Sequence, residues 1–169
     1  MSEAAQCGAA GSPVPAARPA EAAPVSSFSL RELVPADYDR VIALWSVTEG
    51  MGLNESDTRE AIAAFLTRNA GLSRLAEDAA TGELLGALLC GHDGRRGYLH
   101  HLAVARSRRR RGIGRALVEA CLEGLRAQGI PKCNLFLFAN NEEGRRFWEH
   151  TGWKARVDLV MMQVDLSPA

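Results

Sequence analysis

The chain has 169 residues, 47% of them apolar and 24% charged, a size and composition that suit one ordinary globular domain. Its formal net charge is zero, which argues against bulk nucleic-acid binding, since that needs a broad basic face. The four cysteines, Cys7, Cys90, Cys121 and Cys133, form no Cys-x-x-Cys pair; they predict neither a zinc site nor a disulfide framework and make a reducing cytoplasm the default.

Residues 1–27 are rich in Ala, Pro, Gly and Ser. Glu3 and the prolines at 13, 15, 19 and 24 interrupt any signal-peptide core, so the stretch is expected to be a disordered tail ahead of a single domain over 28–169. No run is long and apolar enough to span a membrane. Phe28 to Val34 alternates as a first strand. Pro35 opens a helix to about residue 48 that carries Val41, Ile42 and Trp45 on one stripe. Gly50 and Gly52 break it. Asp57 with Glu60 resembles a capping box for a second helix to about Asn69. Leu72–Ala79 and Glu83–Gly91 read as strands joined at Thr81-Gly82, and Gly97–Val104 follows as a third strand of a meander.

A helix beginning near Ile113 repeats apolar residues at 113, 117, 121 and 125 until Gly129 and Pro131 stop it. Lys132–Phe138 is the next strand, so strand, helix and strand form a parallel crossover. Asn140 or Asn141 caps a short helix bearing Phe147 and Trp148, and Trp153–Leu166 supplies one last strand, or two with a bend. The order is β-α-α-β-β-β-α-β-α-β(-β). It predicts an α/β fold with a mixed, mostly antiparallel sheet of six or seven strands and helices on both faces.

The stretch Arg108-Arg109-Arg110-Arg111-Gly112-Ile113-Gly114-Arg115 joins the third meander strand to the central helix. Its glycines permit close approach to the backbone, and the first amides of the helix have no partner within it, so the helix start suits a phosphate. A Walker loop needs a lysine that is absent, and a dinucleotide fingerprint needs a third glycine where Leu117 stands.

Arg109-x-x-Gly112-x-Gly114, Asn141 followed by Phe147-Trp-Glu-His-Thr-Gly-Trp153, and Arg31-x-Leu-Val-Pro-Ala-Asp37 together resemble the GNAT superfamily of acyl-CoA-dependent N-acetyltransferases. The run Gly91–Val104 looks most like its small, stand-alone bacterial YpeA-type branch. The resemblance covers about residues 28–166. It implies acetyl-CoA as acetyl donor, no metal, and a primary-amine acceptor that is a small molecule or a protein; nucleic acid and membrane are not expected partners. The chain would be a monomer or homodimer.

It further implies that the strands ending at Val104 and Phe138 splay apart. The pantetheine arm would lie along main-chain groups of Leu102 and Val104, with an amide near Leu102 or Ala103 as oxyanion donor. Arg109, Arg110, Arg111, Gly112, Ile113, Gly114 and Arg115 would form the diphosphate site, their side chains turned to solvent. Asn141 would meet the arm, and Phe147 and Trp148 would pack near it.

A primary amine is largely protonated at neutral pH, so a base must take its proton. His100 and His101 are the candidates on the strand, with neighbours expected on opposite faces; His92 and Glu49 are alternatives on loops. Trp148 stands where many relatives carry a tyrosine that acts as acid, and indole cannot deliver a proton; Tyr98 is then a substitute. The alternatives are an acyl-CoA-binding module without turnover and, against the zero net charge, a binder of nucleic acid or an anionic surface through the arginine run.

Overall fold

Alternation ends and helices begin where the side chains change faces, and the computed structural model, which describes residues 27–166, shows where. β1 (Phe28–Glu32) is followed by a 3₁₀ turn, Pro35–Asp37, that runs into α1 (Tyr38–Ser46). A second 3₁₀ turn, Glu55–Asp57, precedes α2 (Arg59–Arg68). β2 (Arg74–Asp78), β3 (Leu84–His92) and β4 (Gly97–Val104) form the meander. The third 3₁₀ turn, Arg106–Arg108, leads to α3 (Ile113–Ala127), β5 (Cys133–Leu135) and α4 (Glu142–His150). The expected tail lies, but for its last residue, outside the described residues.

The sheet order is β1-β2-β3-β4-β5. The first three pairings are antiparallel and β4 with β5 is parallel, as the α3 crossover requires. Both faces of the sheet are apolar and both are covered. On one face Leu85, Leu88 and Leu99 meet Ile113, Leu117, Cys121 and Leu125 of α3. On the other, Leu75, Leu89 and Ala103 meet Val41 and Trp45 of α1 and Ile62 and Leu66 of α2. Helices at period 3.6 present one stripe to each face.

The mixed α/β class is as expected, but the sheet has five strands among the described residues, not six or seven. Residues 153–166 form no strand; Val157, Val160, Met162 and Leu166 are each at least 87% exposed. Alternation makes a strand only where an edge is available to pair, and β5 offers three residues. β5 itself is shorter than the expected Lys132–Phe138 because the chain turns away from β4 after Leu135. The start of α2 is one residue later than the pattern suggested. Thr58 Oγ1 accepts the Ala61 amide at 3.2 Å, while Asp57 closes the preceding 3₁₀ turn, where its carboxylate takes the Asn54 amide at 2.9 Å.

The Arg31…Asp37 pair has a structural explanation. The Arg31 guanidinium donates to both Asp37 oxygens, at 2.6 and 2.7 Å, and to both oxygens of Glu77 on β2, at 2.9 and 3.0 Å. It thereby ties β1 and β2 to the entry of α1. Burial alone would raise the Asp37 carboxyl, but Arg31, the Val34 amide and Arg40 outweigh it and hold the group below its ordinary 3.8. The Arg31 hydrogen bond likewise holds Glu77 below 4.5. Folded values below unfolded ones contribute stability that is present above these pH values and lost as pH falls through them. Arg31→Met is therefore expected to lower the unfolding free energy by about 1–3 kcal/mol, since Asp37 stays buried with only the longer Arg40 contact at 3.7 Å and Arg31 is partly exposed. Urea titrations at neutral pH and near pH 3 check it: the difference between variant and wild type shrinks in acid.

Candidate functional site

The site is built where β4 loses its neighbour. Pairing with β5 stops at Leu99↔Leu135, and the rest of β4 keeps only β3. There the register slips: Leu89 pairs with His100 and Ala87 with Ala103, so Leu88 faces two residues, His101 and Leu102. This is a β-bulge, and His101 sits in it at φ +55°. A positive φ in a residue other than glycine is uncommon and stores strain.

The bulge changes which way the side chains point. The His100 ring meets Phe65 of α2 edge-on at 6.0 Å, and the His101 ring lies 4.9 Å from Trp45 of α1. Leu99 and Leu102 face the α3 core instead. Both histidines therefore share the α1/α2 face, and the expectation of opposite faces is corrected: strict alternation fails across an inserted residue. His101 Nε2 lies 2.7 Å from Asp57 Oδ1, and its Nδ1 faces Met51 Sδ at 3.1 Å. The pair is largely buried, with side chains 18% and 8% exposed. His100 makes ring contacts, with Phe65 and, at 6.3 Å, with Tyr98. Burial first, and then the neighbouring His101, hold its pKa below 6.5 against the opposing pull of Asp57, so it is neutral at physiological pH.

Main-chain directions follow from one bond. The Ala105 amide donates to Leu85 on β3 at 2.8 Å. By alternation the Ala103 amide also points at β3, and that of Val104 points into the gap beside β4.

At the end of β4 the arginine loop makes a concave backbone. Arg110 and Gly112 adopt φ +63° and +81°, and such left-handed steps next to a helix start turn successive amides inward. The amides of residues 110–115 donate to no acceptor among the described residues. Nothing lies within 4 Å of where a Gly112 Cβ would stand. A Cβ at Gly114 would touch Phe147 and Val104 at 3.5–3.6 Å, which fixes Phe147 beside the strand end. The side chains of Arg110 and Arg111 are exposed, as expected of the run. Arg109 is not: its Nε lies 3.4 Å from the Val104 carbonyl and Nη1 3.4 Å from Glu143, because that carbonyl has no strand partner. Arg115 pairs with Glu119. A hollow of about 160 Å³ opens here between Leu44, Val47, Val104 and Arg109.

Asn141 is the cap of α4, its Oδ1 accepting the Gly144 amide at 2.8 Å. A Cβ on Gly50 would stand only 2.5 Å from its Nδ2, so the α1–α2 loop reaches across the gap to α4. Trp148 packs in T-shaped contacts with Phe147 and Trp153 against the α3-side core, a structural position. The loop alternatives lie elsewhere: His92 bonds Gln128 at the far end of β3, and Glu49 pairs with Arg106 on the surface. Asp57 and Met51 contact His101, and the sequence did not link them to it. Asp57 read as a helix cap, and no spacing links it to His101, 44 positions away.

This fold and sequence are similar to those of known proteins. The model of the acetyltransferase (GNAT) family matches residues 38–153. An acetyltransferase of Sodalis glossinidius is 29% identical over 126 residues, 75% of this chain and 87% of that one. One of Photorhabdus laumondii is 33% identical over 106 residues, 63% and 72% of the two chains. Among solved structures, the PaiA N-acetyltransferase of Thermoplasma acidophilum, in complex with coenzyme A, superposes with a TM-score of 0.66 at 20% identity over 77% of this chain and 91% of that one. Ard1 of Thermoplasma volcanium gives 0.65 at 22% over 74% and 81%. With the family model spanning β2 to β5, the bulge, the cradle and α4, this chain belongs to the GNAT family of acetyltransferases.

Proposed function

We propose that the protein transfers the acetyl group of acetyl-CoA to a primary amine by direct attack in a ternary complex. The observation that carries the reading is the row of unspent amides at 110–115 at the open end of an unpartnered β4 edge. The fit is testable by length. From the diphosphate to sulfur the pantetheine arm has about a dozen backbone bonds, the equivalent of about four residues or ~13–14 Å when extended. Counting back four residues from Val104 along β4 ends at His100, beside the bulge.

The donor supplies an activated thioester. The chain supplies the rest: amides 110–115 hold the diphosphate, the Leu102 and Val104 main chain holds the arm, and the Leu102 amide faces the developing oxyanion. Asp57 holds His101 through Nε2–H, which leaves Nδ1 bare to accept the amine's proton once Met51 moves aside. Thiols ionise near pH 8.5, so the leaving group needs no acid, and a core tryptophan at 148 is compatible with turnover.

Calorimetry with acetyl-CoA and a thiol-release assay over an amine panel test this. At about 100 Kd of acetyl-CoA the fold should gain about 2.7 kcal/mol, and at least one amine should release coenzyme A at several times the hydrolytic rate. Binding without release from any amine would favour the second reading, an acyl-CoA-binding module, for which the covered Nδ1 of His101 speaks.

A further inference from the structure

We infer that the acceptor is an amine borne on an aromatic or similarly flat apolar group and carrying no second charge; this rests on the transfer reading above and names the substrate class of the same site. The α1/α2 face of the gap is lined by a continuous set of side chains. Tyr98 stacks with His100 on one side, at 6.3 Å and 19°, and with Phe136 on the other, at 6.4 Å and 16°. Met51 closes over His101, and Phe138 lies under the same loop, with its Cζ 2.8 Å from where a Gly52 Cβ would stand. Phe136 and Phe138 follow β5 at the point where it leaves β4, and they remain 61% and 58% exposed. Exposed aromatics clustered beside a reactive group mark a binding surface.

The charges support one class over others. None of these six side chains is acidic. Asp57 is already taken by His101 and the Asn54 amide, Glu49 by Arg106, and the other end of the gap carries Arg109. A diamine or polyamine would have to bring a second ammonium against aromatic rings and a neutral His100 with no counter-charge, and such burial is strongly opposed. A lone amine that gives up its proton to His101 meets no such cost, and a ring beside it gains contact with the exposed rings of Phe136 and Phe138.

The test uses the full chain with saturating acetyl-CoA and compares 2-phenylethylamine, n-butylamine and putrescine by kcat/KM. The expected order is phenylethylamine first, at least 10-fold over butylamine and 100-fold over putrescine. Phe136→Ala should collapse the phenyl-to-butyl ratio towards one, chiefly through KM, and Phe136→Leu should restore part of it; the acetyl-CoA Kd of each variant shows that the fold and cradle are intact. Putrescine turned over as well as phenylethylamine, or an unchanged ratio in Phe136→Ala, would overturn the inference and leave the transferase reading standing. No transfer to any amine, with acetyl-CoA bound, would overturn both.

Discussion

Gly112→Val is expected to abolish acetyl-CoA binding at millimolar concentration and to lower the melting temperature by about 5 °C. Two effects add. Gly112 is held at φ +81° as the residue that starts α3, and a β-branched side chain there is strained by about 1–3 kcal/mol, which for a chain of this size is a shift of roughly 2–4 °C per kcal/mol. The stability loss is the smaller consequence. A valine relieves its strain by rotating the backbone, which turns away the amides on either side, and any Cβ at 112 projects into space that is open in the free protein and that a diphosphate would fill. Gly112→Asn separates the two, because asparagine tolerates the left-handed region. Its melting temperature should stay near wild type while its acetyl-CoA affinity drops about tenfold or more, as a side chain standing over a hydrogen-bonded anion displaces about one charge-assisted bond. Calorimetry and thermal denaturation with and without acetyl-CoA give both readouts. Wild-type affinity in Gly112→Val would mean that the diphosphate does not sit on this loop.

That glycine was legible in the sequence, and so was most of the frame. A Gly-x-Gly turn after an alternating strand and before a 3.6-period helix is local information, and β4 and the start of α3 fall where the pattern put them. The bulge was not legible. Tyr98-Leu-His-His-Leu-Ala-Val104 reads as plain alternation with one ambiguous pair, and only the pairing of Leu89 with His100 and Ala87 with Ala103 shows that one residue is inserted. The consequence is large, because a one-residue insertion changes the face of everything beyond it. The Asp57–His101 contact was hidden for a different reason. Asp57 sits on a turn whose local job, taking the Asn54 amide, explains the residue fully, so nothing in the sequence calls for a second partner. The last segment failed in the opposite sense: Val157–Leu166 has a strand's composition but no edge to pair, and composition does not report edges.

His101→Ala is expected to lower kcat by about 10²–10⁴, the usual share of a general base, with the acetyl-CoA Kd unchanged. The two readouts should part because the ring points to the α1/α2 face, towards Trp45, whereas the cradle lies at the far end of β4. Asp57 acts through His101 and is a positioning residue: Asp57→Asn keeps an acceptor for the Asn54 amide but loses the charge that steadies a protonated imidazole. It should cost about 10–100-fold in kcat, and the double variant should be no slower than His101→Ala, since residues acting as a unit are not additive. The acid limb of the pH–rate profile should vanish in His101→Ala. His100 is the control, because it is the other imidazole on the same face of β4. Its folded pKa lies below 6.5 through burial, so the unfolded chain takes up the proton first, and stability falls as pH drops below about 6.5 and levels off beneath the folded value. That part of the acid-induced loss should persist, reduced, in His101→Ala, where burial still acts on His100, and disappear in His100→Phe, leaving only the loss at lower pH from Asp37 and Glu77, while the kinetic limb does the reverse. A rate limb that follows His100, or additive losses in the double variant, would move the base off His101 and leave the strained bulge without its catalytic reason.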